Sequence, residues 1–147
     1  PTLQNDTKAI YCATLTKDNG RIDWKRPAQE IERMARALNP WPGTWTLWRD
    51  NDKMRRIRID EADAAPDEPR HGAPGLVWGS TDPPSSRQVG TSEELFSLKE
   101  NKKALLVKTG RGSMIIKRAT LEGKRSLTGA DLLRGYPQLV GVVLASA

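Results

Sequence analysis

A single cysteine, a single histidine and a single phenylalanine in 147 residues narrow the chemistry available to this chain. With Cys12 alone there is no internal disulfide framework, which agrees with a reducing compartment. Cys12 and His71 fall in no His-Glu-x-x-His or Cys-x-x-Cys pattern, and one of each cannot build a metal cluster of ordinary spacing. His71 lies in a Pro- and Asp-rich stretch and reads as a solvated side chain. The absence of Gly-x-Ser-x-Gly removes the usual hydrolytic nucleophile. No apolar run approaches a membrane span, and the first residues form no charged-then-apolar signal, so a soluble, cytoplasmic protein is expected. The chain has no initiator methionine and opens on the polar Pro1-Thr2-Leu3-Gln4, so a piece of a longer polypeptide is expected. Asn5-Asp6-Thr7 fits a glycosylation sequon, which in an intracellular protein is chance.

What is present is positive charge on a chain of single-domain size. Hydrophobic residues make up 37%, modest but enough for a small barrel with helices. Twenty-four Lys and Arg against eighteen Asp and Glu give +6, which favours polyanionic partners without naming one. Residues 60–70 hold Asp60, Glu61, Asp63, Asp67 and Glu68 against Arg70, a balance of −4, so the remainder carries +10. This acidic stretch reads as a loop.

Residues 1–24 are polar apart from Ile10-Tyr11-Cys12-Ala13 and read as an interdomain linker leading into a domain over 25–147. Ile31, Met34, Ala35 and Leu38 recur at helical spacing, predicting a helix over 27–39 with Pro27 in its first turn. It must stop at Asn39-Pro40-Trp41-Pro42-Gly43, because proline denies its predecessor the helical region and offers no backbone donor. Beyond it Thr44–Trp48 and Met54–Ile59 bracket the polar turn Asp50-Asn51-Asp52 as a hairpin, with Ile57 and Ile59 on one face and Arg56 and Arg58 on the other. Further strands are expected at 75–79, 104–109 and 113–121, the last two joined through Gly110-Arg111-Gly112. That Gly-x-Gly is read as a hairpin turn, since the third glycine of a phosphate loop is missing and a strand follows. Thr91-Ser92-Glu93-Glu94-Leu95 could open a short helix, and Thr128–Leu133 reads as another with its cap. About five short strands, one helix before and a short helix after, make the fold class mainly β with flanking helices (α+β): a small, partly open Greek-key barrel.

Leu15-Thr16-Lys17, Gly20-Arg21-Ile22-Asp23-Trp24, the Asn39–Gly43 exit, Gly110, Gly112, Gly123-Lys124, Leu132-Leu133 and Gly135 stand in one order. As a set, they resemble the C-terminal domain of the methionyl-tRNA formyltransferase family over roughly residues 5–145, with longer connections at 61–74 and 79–102. The resemblance implies a barrel of the oligonucleotide-binding type (OB-like) that binds and orients initiator methionyl-tRNA during translation initiation. It implies an N-terminal catalytic domain of the same polypeptide, absent from this chain, carrying the catalytic Asn, His and Asp and binding 10-formyltetrahydrofolate. No catalytic residue, metal or cofactor is then expected here, and the fragment alone should be inactive. Related C-terminal domains serve formyltransferases of folate or nucleotide sugars, and a purely structural bracing module is a further alternative.

The resemblance also implies that the domain holds the inner side of the tRNA electrostatically, and the basic residues carry that role. Lys17, Arg21, Lys25, Arg26, Arg33 and Arg36 lie in the linker and first helix, Arg56 and Arg58 share a strand face, and Lys117, Arg118, Lys124 and Arg125 lie near the last hairpin. Each alone could be solvated surface, but phosphate contacts act through summed charge and counterion release. A-form stems offer phosphates and 2'-hydroxyls rather than readable bases, the partners of Arg and Lys. Arg111 stands where the family often has an acid, and only adds positive charge. Five tryptophans invite a base-stacking reading; Trp24, Trp41 and Trp45 read instead as core or interdomain packing, with Trp48 and Trp78 less certain.

Overall fold

The computed structural model describes residues 12–65, 72–80 and 104–147. Helix α1 (Ala28–Leu38) follows Pro27 and directs Ala28, Ile31 and Leu38 inward. The hairpin β1 (Thr44–Asp50) and β2 (Lys53–Ala65) turns at Asn51, whose φ of 55° is a conformation that asparagine tolerates. β3 (Val77–Ser80), β4 (Ala104–Lys108), β5 (Ser113–Leu121) and β6 (Ser126–Thr128) complete an antiparallel sheet, followed by α2 (Gly129–Gly135). The order is β1-β2-β5-β4-β3; β6 pairs with the second half of β5, on the edge whose first half takes β4. The expected small α+β barrel is therefore what forms. Thr128 caps α2 by accepting the Asp131 amide proton. The helix proposed at 91–95 lies outside the described residues.

Three features depart from the expectations. β2 does not end at Ile59: it kinks through a bulge at Asp60 and runs on to Ala65, so Asp60, Glu61 and Asp63 are strand residues and not loop. Pairing with the long β5 supplies the backbone partners that make this polar stretch extend, a non-local effect that overrides its low β propensity. β6 is too short to show a periodicity of its own and forms because Leu127 lies opposite Ala119.

The third departure is the chain's end. Residues 141–147 run between the two edge strands of the sheet: Val77 and Leu144 donate to Val142 and Gly75, and Ala145 donates to Leu47, each at 2.9 Å. Ala147 donates to Ile22, and Ile22 donates to Trp45, both also at 2.9 Å. The tail thus satisfies edges that would otherwise present unpaired backbone groups. Buried Thr46 ties the layers together, accepting the Trp24 indole proton at 3.1 Å and donating to Ala145 at 3.0 Å. Ile22 and Trp24 belong to the core cluster, so the packing of the barrel begins before residue 25.

Close backbone approach requires glycine at two places. A Cβ at Gly20 would lie 1.8 Å from the Gly43 carbonyl oxygen, and one at Gly110 would lie 1.8 Å from that of Lys25. The first contact wedges the entering segment against the helix exit, and the second against the β4–β5 turn.

Candidate nucleic-acid interface

Strand alternation places Thr44, Thr46 and Trp48 inside the barrel and Trp45, Leu47 and Arg49 outside. Trp45 stands opposite Arg58 and Leu47 opposite Arg56, so the outer face of the hairpin carries two arginines beside an indole. The Arg56 guanidinium lies 4.2 Å from the Trp45 ring centroid and that of Arg21 lies 5.8 Å away, distances of cation–π attraction. Trp45 donates its indole proton to the Lys17 carbonyl at 2.8 Å, which fixes the 3-10 turn Lys17–Gly20 against the same ring. Arg21 donates to the Ser146 carbonyl at 3.1 Å. Two guanidiniums are thereby held against a flat aromatic floor instead of ranging through solvent.

The neighbouring strands extend this face. Arg58, Thr120 and Ser126 lie in cross-strand register, and Asp60 accepts from all three: Arg58 Nε at 2.7 Å, the Ser126 hydroxyl at 2.8 Å and the Thr120 hydroxyl. Glu122 donates its amide proton to the Arg56 carbonyl at 3.0 Å, bringing the β5–β6 turn, with exposed Lys124 and Arg125, to the end of the same hairpin. Lys17, Arg21, Arg56, Arg58, Lys124 and Arg125 are thus brought to one side. Exposed Arg49 adds to it, a residue the sequence reading missed although alternation from Trp45 points to it.

The other predicted residues, Arg118 apart, do not join them. Lys25 and Arg26 flank the Gly110 turn, whose amide reaches the Trp24 and Arg26 carbonyls, and Arg26 lies 3.9 Å from Asp23. Arg33 and Arg111 line a groove with Pro27, Ala65 and Gly112. Arg36 pairs with Glu32 at 3.6 Å. Lys117 pairs with Asp63 at 2.6 Å and lies 3.8 Å from Glu61, and the Asp63 hydrogen bond holds its ammonium pKa above the usual range. Of these cations Arg26, Arg36 and Lys117 are answered by local carboxylates. Arg118 is the exception: exposed on β5 two residues before Thr120 and opposite Thr128, it shares the outer face of Thr120 and Ser126, with Glu61 in register on its other side.

At the tail, Ser146 donates to Asp23 at 2.7 Å and accepts the Trp24 amide at 2.9 Å. The Ser146 hydroxyl and the Lys25 amide hold the Asp23 carboxyl below its ordinary pKa. The tryptophans also divide differently from expectation. Trp24 and Trp48 are fully buried and Trp45 is 7% exposed, whereas Trp41, expected in core or interdomain packing, is 58% exposed and takes no part in the core of this domain. It sits between Pro40 and Pro42 on the loop that leaves α1. Among the described residues no group of three His, Cys, Asp or Glu could hold a metal ion, and no helix is long and apolar enough to cross a membrane.

Residues 14–137 match the model of the formyl transferase, C-terminal domain family. The chain is 33% identical over 137 residues to the methionyl-tRNA formyltransferase of Treponema denticola, covering 93% of this chain and 37% of that protein. It is 34% identical over 144 residues to that of Dehalococcoides mccartyi (98% of this chain, 38% of the relative), and 35% identical over 148 to that of Pelobacter propionicus (100% and 38%). The chain therefore spans little more than a third of the length of the curated relatives it matches.

Proposed function

The chain belongs to the formyl transferase C-terminal domain family, and on that premise we propose that it is the C-terminal domain of a methionyl-tRNA formyltransferase. Its role in this reading is to bind and orient initiator methionyl-tRNA, while an N-terminal catalytic domain transfers the formyl group from 10-formyltetrahydrofolate to the methionine amino group. The chain by itself is inactive and binds no folate, and its setting is the cytoplasm at translation initiation. The names of the relatives support the tRNA specificity over folate or nucleotide-sugar formyltransferases.

The observation that carries the reading is the outer face of the β1–β2 hairpin, where Arg56 and Arg21 lie against Trp45 and the β5–β6 turn adds Lys124 and Arg125. Guanidiniums held in place lose less freedom on meeting phosphates than free side chains do. An A-form stem presents phosphates and 2'-hydroxyls to such a surface, so binding is electrostatic and tolerant of sequence. A filter-binding titration of the 147-residue chain with initiator and elongator tRNAs at two salt concentrations tests this. Equal dissociation constants, roughly 10⁻⁴ to 10⁻⁶ M as for non-specific nucleic-acid binding, and a steep loss with salt are expected. Salt-independent binding, or none, would leave the domain as a brace for its catalytic partner.

A further inference from the structure

An indole ring in water needs an explanation when Trp24, Trp45 and Trp48 are all buried. Trp41 is 58% exposed, the most exposed of the large apolar side chains among the described residues. Its loop is not free: Gly43 donates to the Leu38 carbonyl at 2.8 Å, the Asn39 side chain donates to the Asp60 carbonyl at 3.4 Å, and Gly43 is wedged against Gly20. The same loop touches the basic face, since a Cβ on Gly43 would meet the Arg58 side-chain stem at 3.3 Å. Gly20, on its other flank, is followed by Arg21, which lies over Trp45. A fixed aromatic face at the rim of a cationic surface matches a nucleotide, whose base has a π-face and whose phosphate carries negative charge. An apolar protein partner seated on the ring would instead have to cover Arg58, a charged side chain 54% exposed, and strip it of water.

We propose that Trp41 stacks against an unpaired nucleobase of the RNA whose phosphates lie on the Arg21, Arg56 and Arg58 face, giving the domain a base contact in addition to its hold on the backbone. The contact is insensitive to which base is offered, since every base has a π-face, and requires only that the base be unpaired. It rests on the RNA-binding reading above.

Two probes separate the contacts: a blunt RNA duplex, and the same duplex with a short unpaired extension. The wild-type chain binds the extended duplex more tightly. Trp41→Ala loses roughly ten-fold on the extended probe, keeps its affinity for the blunt one, and melts at the wild-type temperature; Trp41→Phe retains most of the gain. A wild-type chain that binds the blunt duplex with strong salt dependence but gains nothing from the extension overturns the stacking contact alone. So does a Trp41→Ala chain that binds both probes as the wild type does, which would leave the ring to a protein partner. Equal losses on both probes also overturn it, and a wild type that binds neither overturns this inference and the RNA reading together.

Discussion

The outer face around Trp45 and the surface between α1 and the β2–β5 bulge are built from the same residue types and differ in what faces each cation. Around Trp45, Arg56 and Arg21 are held by an indole, which orients a guanidinium without cancelling its charge. Beside α1, Arg36 faces Glu32, and Lys117 faces Asp63 and Glu61. An arginine over an aromatic ring stays available to a phosphate, whereas a lysine against two carboxylates is already answered. Net charge summed over the chain hides this division. Arg58 is intermediate, exposed yet paired with Asp60 at 2.7 Å.

The widest separation between the two surfaces should come from charge reversal. Arg56→Glu with Lys124→Glu should weaken tRNA binding at least about ten-fold and lower the salt slope by roughly two units, one per lost contact. Reversing Arg36 and Lys117 together should change affinity less than about three-fold, because each already has an acidic partner. Equal losses from the two pairs, measured by filter binding, would erase the distinction. Asp60→Asn sharpens it from the other side. Freed from its carboxylate, Arg58 should improve tRNA affinity a few-fold with a steeper salt slope, while the weakened Thr120 and Ser126 bonds cost about 1–2 kcal/mol in urea unfolding.

Smaller effects come from the two perturbed groups. The folded Lys117 pKa lies above the usual 10.5, so its ion pair contributes fully below that value and is lost as the pH rises through the higher folded one. Its side chain is 41% exposed, so Lys117→Gln should cost only a few tenths of a kcal/mol at neutral pH, with the gap to wild type closing in alkaline melts. Asp23 has the opposite sign. Its carboxyl is held below 3.8, so its contribution is complete above that pH and disappears as the pH falls through the folded value. Asp23→Asn should therefore melt slightly lower than wild type at neutral pH and match it in strong acid. A difference that persists in acid would point to lost packing at the tail instead of lost charge.

Much of the architecture was legible because its causes are local. Helical spacing up to Leu38 and the prolines that follow bound α1, and alternation through Ile57 and Ile59 separates inside from outside on β2. The acidic stretch after Ile59 misled for an equally physical reason: nothing in its own residues asks for a strand, and only pairing with β5 makes one. The face around Trp45 was half legible. The hairpin was expected with Asp50 in its turn, which would shift the register by one; Asp50 instead pairs with Lys53, which puts Trp45 opposite Arg58, and the approach of Arg21 depends on how the entering segment returns to β1. Arg70, in the acidic stretch expected to be a loop, lies outside the described residues.

By itself the sequence determined the family, the helix and its exit, the hairpin with its alternating faces and the excess of positive charge, since each rests on neighbouring residues or on composition. Tertiary structure alone decided which cations stay free of carboxylates, that the last seven residues join the edges of the barrel, and that Trp41 is left in water while Trp48 is buried. Burial and ion pairing are set by residues far apart in the chain. The closeness of Gly43 to the Arg58 stem, where an added Cβ would lie 3.3 Å away, and the 2.7 Å hydrogen bond from Ser146 to Asp23 exist only after folding has brought these residues together.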